Sequence, residues 1–285
     1  MHNPVAEKRR DPISDLHAFI ELNQPLLVLT GAGCSTESGI PDYRDENGNW
    51  KYSQPVQFMD FVRHNHVRKR YWSRSMLGWP RMAQARPNAT HVSLAKLEKA
   101  GFISFLVTQN VDGLHQKAGS KSMLELHGGL KWVICLDCRK KMPRQQLQEM
   151  LFDFNPEFNS MADGLAPDGD ALLADLDLST FRVPVCPDCG GILKPDVVFF
   201  GEQVPKTRFN RVIEQLDQAR ALLVIGSSLM VFSGYRFCKY ARQQDKSVAV
   251  LNIGRTRADP VLSLKVSLPC HEVLPEIIER FKSGL

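Results

Sequence analysis

The chain has 285 residues, of which 43% are hydrophobic and 24% are charged. This composition is that of an ordinary globular protein, long enough for one large domain or for a large and a small one. The net charge of +5 is too small to indicate a nucleic-acid partner. No apolar run approaches the ~18 residues of a membrane span, and the first residues contain no secretory signal. We therefore expect a cytoplasmic protein with neither nucleic acid nor membrane as a partner.

Residues 1–24 are predicted to form a short tail and a first helix. Asp11-Pro12 has the pattern of a helix start, with aspartate as the N-cap and proline at the first helical position. The segment that follows, PISDLHAFIEL, repeats apolar residues at helical spacing. The helix is therefore predicted to begin at Pro12.

Four continuous apolar runs predict buried parallel strands, and amphipathic stretches between them predict helices. Strands that alternate with helices indicate an α/β fold, here a Rossmann-like parallel sheet with helices on both faces. The predicted strands cover 25–29, 102–109, 221–229 and 247–254, and the clearest helices cover 91–101 and 208–219.

Two stretches do not fit this alternation. Residues 49–88 are aromatic and helical in composition, and residues 131–192 are bounded by pairs of cysteines. We predict that both are insertions, a helical one and a zinc-binding one, that form a smaller module. The Rossmann-like dinucleotide-binding domain then consists of 25–48, 89–130 and 193–285.

A glycine loop follows the first strand, in the segment TGAGCSTESGIPDYRD (30–45). No Gly-Lys-Ser/Thr follows at the spacing of a P-loop. Gly31-Ala32-Gly33 begins like a dinucleotide fingerprint, but Thr36 stands where the third glycine belongs. Alone, the loop leaves phosphate binding and a plain tight turn equally open. The other predicted strands also end in Gly, Ser and Asn, and ligands bind at such strand ends, so a dinucleotide is favoured.

Two C-x-x-C pairs, Cys135/Cys138 and Cys186/Cys189, give the most specific signal in the chain. Two such pairs supply the four thiolates of a tetrahedral zinc site, and a site closed by protein ligands is structural. The alternative, a redox pair, needs only one C-x-x-C. An odd total of seven cysteines also indicates a reducing compartment rather than a disulfide framework.

The end of the second predicted strand carries a cluster of polar residues. TQNVDGLH and the later LHG supply Gln109, Asn110, Asp112, His115 and His127. Amides and carboxylates hydrogen-bond hydroxyl groups, and an imidazole can accept a proton near pH 7, so the cluster suits a ribose. The alternative is that the histidines are structural, as single histidines more often are.

Seven motifs occur in one order: GAGxS…SGIPDYR, TQNVDGLH, LHG, the two cysteine pairs, KPDVVFFGE, GSSL and NIG. Together they resemble the sirtuin family of NAD-dependent protein deacylases, over about residues 25–275. Four segments are most similar in sequence to the class II branch, which includes the sirtuin 4 type: GAGCSTESGIPDYR, RYWSR…GWP, GLAPDGD and CGGxLKPDVVFFGE. The glycine loop would then hold NAD.

The resemblance implies an enzyme that uses NAD and one structural zinc to deacylate protein lysines. The acyl group passes to ADP-ribose, with release of nicotinamide and 2′-O-acyl-ADP-ribose. His127 would be the general base on the ribose hydroxyls, with Asn110 and Asp112 as further catalytic residues. Phe200, Gly201 and Glu202 would pair with the substrate peptide as a strand. The residues implied to contact NAD are Gly31, Ala32, Gly33, Ser35, Ile40, Pro41, Asp42, Arg44, Gln109, Asn110, Asp112, Gly226, Ser227, Ser228, Asn252, Ile253, Gly254 and Cys270.

A pattern less specific than these motifs indicates which acyl group the enzyme would prefer. Tyr71 and Arg74 have a Y-x-x-R spacing that resembles the one by which some sirtuins recognise acidic acyl groups, since a guanidinium and a phenol bind a carboxylate well. The alternative is a solvated basic helix face. Cys34 and Tyr43 stand where the family more often has Ile and Phe, and we expect both to influence acyl preference.

Two other functions remain open from the sequence. An NAD-dependent mono-ADP-ribosyltransferase would use the same loop and His127 but would pass ADP-ribose to a protein nucleophile. A zinc-stabilised NAD or ADP-ribose sensor would bind without turnover. The presence together of His127, Asn110 and Asp112 favours an enzyme over a sensor.

Overall fold

A computed structural model describes residues 11–51, 55–158 and 177–283. The predicted tail before Asp11 and the GLAPDGD motif lie outside the described residues. The described strands are β1 (Leu26–Thr30), β2 (Ile103–Thr108), β3 (Met123–Glu125), β4 (Gly128–Cys135), β5 (Lys141–Pro143), β6 (Leu193–Val197), β7 (Ala221–Ile225), β8 (Ser247–Leu251) and β9 (Leu264–Val266). The described α-helices are α1 (Pro12–Leu22), α2 (Phe58–Arg63), α3 (Asn65–Gln84), α4 (Ala89–Lys99), α5 (Leu114–Ala118), α6 (Arg144–Phe154), α7 (Lys206–Gln218), α8 (Phe232–Gln243) and α9 (Cys270–Ser283).

The main sheet has six parallel strands in the order β3-β2-β1-β7-β8-β9. The chain builds outward from β1 to β3, then crosses back to β7 and builds in the other direction. This is the strand order of a doubly wound dinucleotide-binding fold, with the reversal between β1 and β7. Ligands bind in the crevice at the carboxyl ends of the strands beside such a reversal. The predicted Rossmann-like sheet is confirmed.

Helices cover both faces of this sheet, which explains why its central strands are continuous apolar runs. Leu26 and Val28 of β1 belong to the core shared with α1, α4 and α9. Leu27 and Leu29 of the same strand belong to the opposite core, shared with α7 and α8. Alternate residues of one strand point to opposite faces, so only a strand that is apolar throughout serves both cores.

The first helix is confirmed with its predicted cap. It begins at Pro12, and the Asp11 side chain accepts a hydrogen bond from the backbone N–H of Ile13 at 3.2 Å. The four predicted strands are also present, but β7 and β8 end several residues before the predicted ends at 229 and 254. Gly226 leaves the sheet with a positive φ of 60°, so the small polar residues after each strand form loops at the sheet edge.

The smaller module contains a three-stranded antiparallel sheet in the order β5-β4-β6. Helices α2, α3 and α6 pack against it around an aromatic core that includes Phe61, Trp72 and Phe181. Its sheet begins at Gly128 and ends at Val197, so it extends beyond the predicted range of 131–192 at both ends. Among the described helices, none is both long and apolar enough to cross a membrane.

Two buried histidines lie beneath the carboxyl end of β1. His115 is 1% exposed, and its Nε2 lies 2.9 Å from the hydroxyl of Thr30. The ring of His91, which is fully buried, lies 4.7 Å from the ring of His115. Burial lowers the pKa of His115 to about 3, helped by the neighbouring His91, and burial also lowers the pKa of His91. Both imidazoles are therefore neutral in the folded protein at neutral pH.

These pKa shifts predict that the protein loses stability as the pH falls below about 6.5, the usual pKa of histidine. In that range the unfolded chain binds protons that the folded chain does not, so acid favours unfolding. His115 alone contributes a slope of about 1.4 kcal/mol per pH unit until its folded pKa is reached. Urea unfolding at pH 7.5, 6.5 and 5.5 measures this slope. His115→Asn should reduce it, whereas His66→Gln, at an exposed position on α3, should not. Equal slopes in all three proteins would contradict the assignment.

Candidate active site

A cavity of about 500 Å³ opens at the carboxyl ends of β1 and β7, at the reversal of strand order. Four segments line most of it: the glycine loop after β1, the loop after β7, residues 42–51, and residues 198–204 that follow the small sheet. His127, which lies between β3 and β4, completes one wall. The cavity therefore lies where the small module joins the main sheet.

The glycine loop is fastened directly to the loop after β7. The N–H of Gly31 donates to the carbonyl of Ile225 at 3.1 Å, and the N–H of Gly33 donates to the carbonyl of Gly226 at 2.9 Å. A Cβ added at Gly31 would lie 2.7 Å from the Cβ of Ser227, and one at Gly33 would lie 3.0 Å from Gly226 Cα. These two glycines thus allow close approach of two backbones, and their amides are already used within the protein.

Asn110 is held by a chain of polar contacts at the end of β2. Its Nδ2 donates to the carbonyl of Gly31 and to Oγ of Ser35, both at 3.1 Å. The Ser35 hydroxyl donates to Oδ2 of Asp112 at 2.7 Å, and Oδ1 of Asp112 accepts from the N–H of Leu114 at 2.8 Å. Because both Nδ2 protons of Asn110 are used, its amide orientation is defined, and its Oδ1 is left as the acceptor.

His127 is held by both of its ring nitrogens. Nδ1 lies 3.0 Å from the carbonyl oxygen of Gln109, and Nε2 lies 2.8 Å from Oγ of Ser233. A carbonyl oxygen only accepts, so Nδ1 carries the proton and Nε2 of the neutral ring presents its lone pair. Burial lowers the pKa of His127 to about 4; the Gln109 carbonyl opposes this shift, and Arg208 and Arg236 add to it. At neutral pH the imidazole is a neutral base whose Nε2 lone pair faces the Ser233 hydroxyl at the cavity wall.

Residues 42–51 form a hairpin over one side of the cavity. Arg44 and Trp50 form an antiparallel bridge, and the Arg44 guanidinium lies 3.9 Å from the centre of the Trp50 ring. Nη1 of Arg44 donates to the carbonyl of Gly48 at 2.7 Å. The rings of Tyr43 and Phe200 pack edge-on against Trp50, with centroids 6.2 and 5.6 Å away. Arg44 thus covers the cavity by a cation–π contact within its own hairpin.

Residues 200–202 lie in extended or turn backbone at the mouth of the cavity. Phe200 forms a parallel bridge with Gln57, and its carbonyl accepts from the N–H of Phe58 at 2.8 Å. The Glu202 carboxylate pairs with Lys194 at 3.0 Å and accepts from the N–H of Phe199 at 2.9 Å. The Glu202 side chain therefore stabilises this segment at the mouth of the cavity.

Most of the predicted residues lie together. Those that line the cavity are Gly31, Ala32, Gly33, Asp42, Arg44, Gln109, Asn110, His127, Phe200, Gly201, Glu202, Gly226, Ser227, Ser228, Asn252 and Ile253. Within the described part of the chain, the predicted contacts that do not line it are Ser35, Ile40, Pro41, Asp112, Gly254 and Cys270.

Several residues of this second group support the lining residues from behind. Ser35 and Asp112 hold Asn110, as described above. Cys270 Sγ donates to the carbonyl of Gly33 at 3.5 Å. A Cβ added at Gly254 would lie 2.5 Å from the carbonyl oxygen of Glu46, which itself lines the cavity. These residues therefore lie behind those that line the cavity and pack against them.

Tyr71 and Arg74 do not belong to the described lining of the cavity. Tyr71 is 3% exposed and packs its ring against Phe61, Trp72 and Phe199. Of these, Phe199 lines the cavity, so Tyr71 lies one ring away from it. Tyr71 is thus a core residue of the small module rather than part of a solvated face, and acidic acyl recognition stays a prediction.

The four predicted zinc ligands are gathered in the small module. Their sulfur atoms all lie within 4.8 Å of one another. Cys135 Sγ is 3.5 Å from Cys189 Sγ, and Cys138 Sγ is 3.8 Å from Cys186 Sγ. Zinc–sulfur bonds of about 2.3 Å in a tetrahedron give sulfur–sulfur distances of about 3.8 Å, so this donor set fits a structural zinc ion.

Several residues of the cavity lie outside every motif named above. Among them are Trp50, Met230, Phe232 and Ser233, all of which line the cavity. Phe232 and Ser233 begin α8 only two residues after the end of the GSSL motif, and that position is the signal that could have found them. The contact between Ser233 and His127 joins residues 106 positions apart, which no local pattern reveals.

The fold and the cavity define a doubly wound nucleotide-binding protein with a zinc-binding module. Comparison with known proteins agrees. The Sir2 family model matches residues 31–233. An NAD-dependent protein deacetylase of Bordetella bronchiseptica is 52% identical over 272 residues, which cover 95% of this chain and 99% of that protein. The chain therefore belongs to the Sir2 family, as its motifs predicted.

Two further comparisons extend this result. The NAD-dependent protein lipoamidase sirtuin-4, mitochondrial, of Bos taurus is 48% identical over 273 residues, covering 95% of this chain and 87% of that protein. A solved structure of Sir2 with a p53 peptide and NAD⁺ has a TM-score of 0.76 and 30% identity, covering 95% of this chain and 99% of that one. The first of these comparisons confirms the similarity to sirtuin 4 that the motifs predicted.

Proposed function

We propose that the cavity is the active site of an NAD-dependent protein lysine deacylase. The protein is an NAD-dependent protein deacetylase of the Sir2 family, which transfers the acyl group of a modified lysine to ADP-ribose. Nicotinamide and 2′-O-acyl-ADP-ribose are the other products. The observation that carries the proposal is the neutral His127, with Nε2 available as a base, in a cavity lined by the glycine loop.

NAD would lie along the carboxyl ends of β1 and β7. The two glycines bring the glycine loop close to the β7 loop, and the pyrophosphate would lie along the cavity wall that these two loops form together. The hydroxyls of Ser227 and Ser228 would supply polar contacts to phosphate. Asn252 and Ile253, at the end of β8, would hold the adenosine end. Asn110, whose orientation its neighbours define, would present Oδ1 to the nicotinamide end.

Bound NAD supplies an electrophilic ribose carbon when its bond to nicotinamide breaks. The protein would hold the acyl oxygen of the substrate lysine in line with that carbon, which supplies much of the rate. His127 would then accept the proton of a ribose hydroxyl at Nε2. A neutral imidazole is required for this step, and the lowered pKa of His127 keeps it neutral throughout the physiological range.

The acylated lysine would reach this site from a peptide bound as an extended strand. The backbone of Phe200, Gly201 and Glu202 would pair with that peptide, main chain to main chain. The bridge between Phe200 and Gln57 supports this assignment because it already holds the segment in a form that pairs with extended chain. Recognition of a backbone selects an extended lysine-containing segment without requiring one particular sequence.

A mass-spectrometric panel tests the proposed function. The protein is incubated with NAD and peptides that carry acetyl-, succinyl-, glutaryl- or long-chain acyl-lysine, and both peptide and cofactor masses are followed. Bare lysine together with acyl-ADP-ribose establishes deacylation. A preference for succinyl or glutaryl chains would support roles for Tyr71 and Arg74. Loss of NAD with ADP-ribosylated protein and intact acyl-lysine would instead establish the transferase.

Replacing Gly31 with alanine tests the NAD-binding loop. The added Cβ would lie 2.7 Å from Ser227 Cβ and 2.8 Å from the Gly226 carbonyl, so the two loops must separate. Overpacking of this kind costs about 1–3 kcal/mol, which predicts an increase in the Kd for NAD of about fivefold or more. Isothermal titration calorimetry measures it. Gly119→Ala is the control: it adds a Cβ in open space at a positive φ of 101°, so it should cost some stability but leave the Kd unchanged. Equal affinity in Gly31→Ala and the parent protein would contradict the assignment.

A cytoplasmic location is also proposed. It is supported by cysteine usage, because all seven cysteines are free thiols and four of them form a metal site. Cell fractionation with a tagged full chain tests it, and recovery in an oxidising compartment would contradict it.

A further inference from the structure

Ser233 makes the second contact that holds the imidazole of His127. It lies at the start of α8, lines the cavity, and places its Oγ 2.8 Å from Nε2 of His127. Because Nδ1 donates to the Gln109 carbonyl, Nε2 of the neutral ring has a lone pair and no proton. The Ser233 hydroxyl is therefore the donor and the imidazole the acceptor.

The neighbouring glycine explains how α8 comes so close. A Cβ added at Gly234 would lie 2.5 Å from Oε1 of Gln109, so a larger residue here would require the Gln109 side chain to move. The backbone of the same Gln109 holds the other nitrogen of His127. The Ser233 carbonyl also accepts from Nε of Arg236 at 3.2 Å, which fixes the start of the helix. The ring is thus held between the end of β2 and the start of α8.

We infer that Ser233 is a positioning residue for deacylation, which holds the imidazole of His127 with Nε2 directed at the cavity. The inference rests on the proposed function, in which His127 is the base. Nε2 has a single lone pair, so a ribose hydroxyl that gives its proton to His127 takes the place of the Ser233 hydroxyl. Ser233 thereby preorganises the acceptor for a hydroxyl at about the same distance.

The hydroxyl also affects the protonation of His127. A donor at Nε2 stabilises the neutral ring and opposes its protonation. Arg208 and Arg236, the cations that act on this ring, lower its pKa in the same direction, whereas the Gln109 carbonyl raises it. Removal of the hydroxyl should therefore raise the pKa of His127. Because the base must be neutral, the acid limb of the kcat/KM profile should move to higher pH.

Three proteins test this role: the parent chain, Ser233→Ala and Ser233→Thr. Imidazole ¹⁵N NMR at pH 7.5 reports the hydrogen bond at Nε2 independently of turnover. The kcat/KM profile for an acetyl-lysine peptide reports the catalytic effect. In Ser233→Ala we expect a shifted Nε2 resonance, a loss in kcat/KM of about 3- to 10-fold, and an acid limb displaced upward by about 0.5–1 pH unit. Ser233→Thr keeps the hydroxyl and should stay close to the parent chain in all three measurements.

Two results would overturn the inference. One is an unchanged Nε2 resonance and acid limb in Ser233→Ala, and the other is an equal loss in Ser233→Ala and Ser233→Thr. Failure of the proposed function would be seen differently. In that case the parent protein would form no acyl-ADP-ribose, although Ser233→Ala would still shift the Nε2 resonance. The hydrogen bond would then exist without deacylation, and the positioning role of Ser233 would be wrong as well.

Discussion

Replacement of His127 by tyrosine is expected to abolish deacylation while largely sparing NAD binding. The change removes the only nitrogen base on the described wall of the cavity that has its lone pair positioned and its pKa lowered to about 4. Loss of a positioned general base reduces turnover by about 10²- to 10⁴-fold. A phenol cannot replace it, because its usual pKa is about 10 and it carries its proton at neutral pH. Acyl-ADP-ribose formation and the Kd for NAD measure the two halves of this prediction.

His66→Tyr provides the matched control, since it makes the same change at an exposed position on α3. It should leave both turnover and NAD affinity unchanged. Turnover retained in His127→Tyr would remove His127 as the base. Joint loss of turnover and NAD affinity in that variant would show instead that tyrosine closes the cofactor site, and His127→Ala would then be the variant that tests the base.

Loss of one of the four predicted zinc ligands is expected to have the largest effect on stability. Cys186→Ser should release zinc and unfold the small module, because thiolate coordination to zinc provides folding free energy directly. A decrease in unfolding free energy of more than about 4 kcal/mol is expected, a size that marks loss of a metal site rather than of an ordinary contact. Metal analysis should find about one zinc per parent chain and none in the variant.

Asp188→Asn is the control for this experiment. Asp188 lies between two of the ligands and pairs with Lys140 at 2.9 Å, but both side chains are about half exposed or more. An exposed pair of this kind contributes at most about 1 kcal/mol. The control should therefore retain zinc. Two results together would contradict a structural metal. The purified parent protein would contain no zinc, and treatment with a chelator would not change the urea concentration at which it unfolds.

Agreement between sequence and structure is greatest where local patterns carry the information. Pro12 and its Asp11 cap fix the first helix, because capping depends on neighbours within one turn. The strand predicted at 221–229 is present at 221–225, because those residues contact two apolar cores at once. The cysteine pairs are predicted for a similar reason, since two ligands of one ion lie within four residues of each other.

Agreement is lowest where distant segments meet. The three-residue strands β3 and β9 are too short to show a pattern, and they form because a neighbouring strand offers a free edge. The sheet of the small module pairs Gly128 with Val197, and its range therefore differs from one read from the cysteines. Tyr71, predicted from its spacing to Arg74, is packed in the aromatic core, because spacing along a helix does not say which face is covered.

The sequence by itself determined the class of fold, the zinc ligands, the glycine loop and the family, because each depends on residues that are close in the chain or on motifs in fixed order. Only the tertiary structure decided how His127 is held. Its proton position depends on Gln109 and Ser233, which reach it from two different elements. The chemistry of an imidazole depends on desolvation and on its hydrogen-bond partners, and both exist only once the chain has folded.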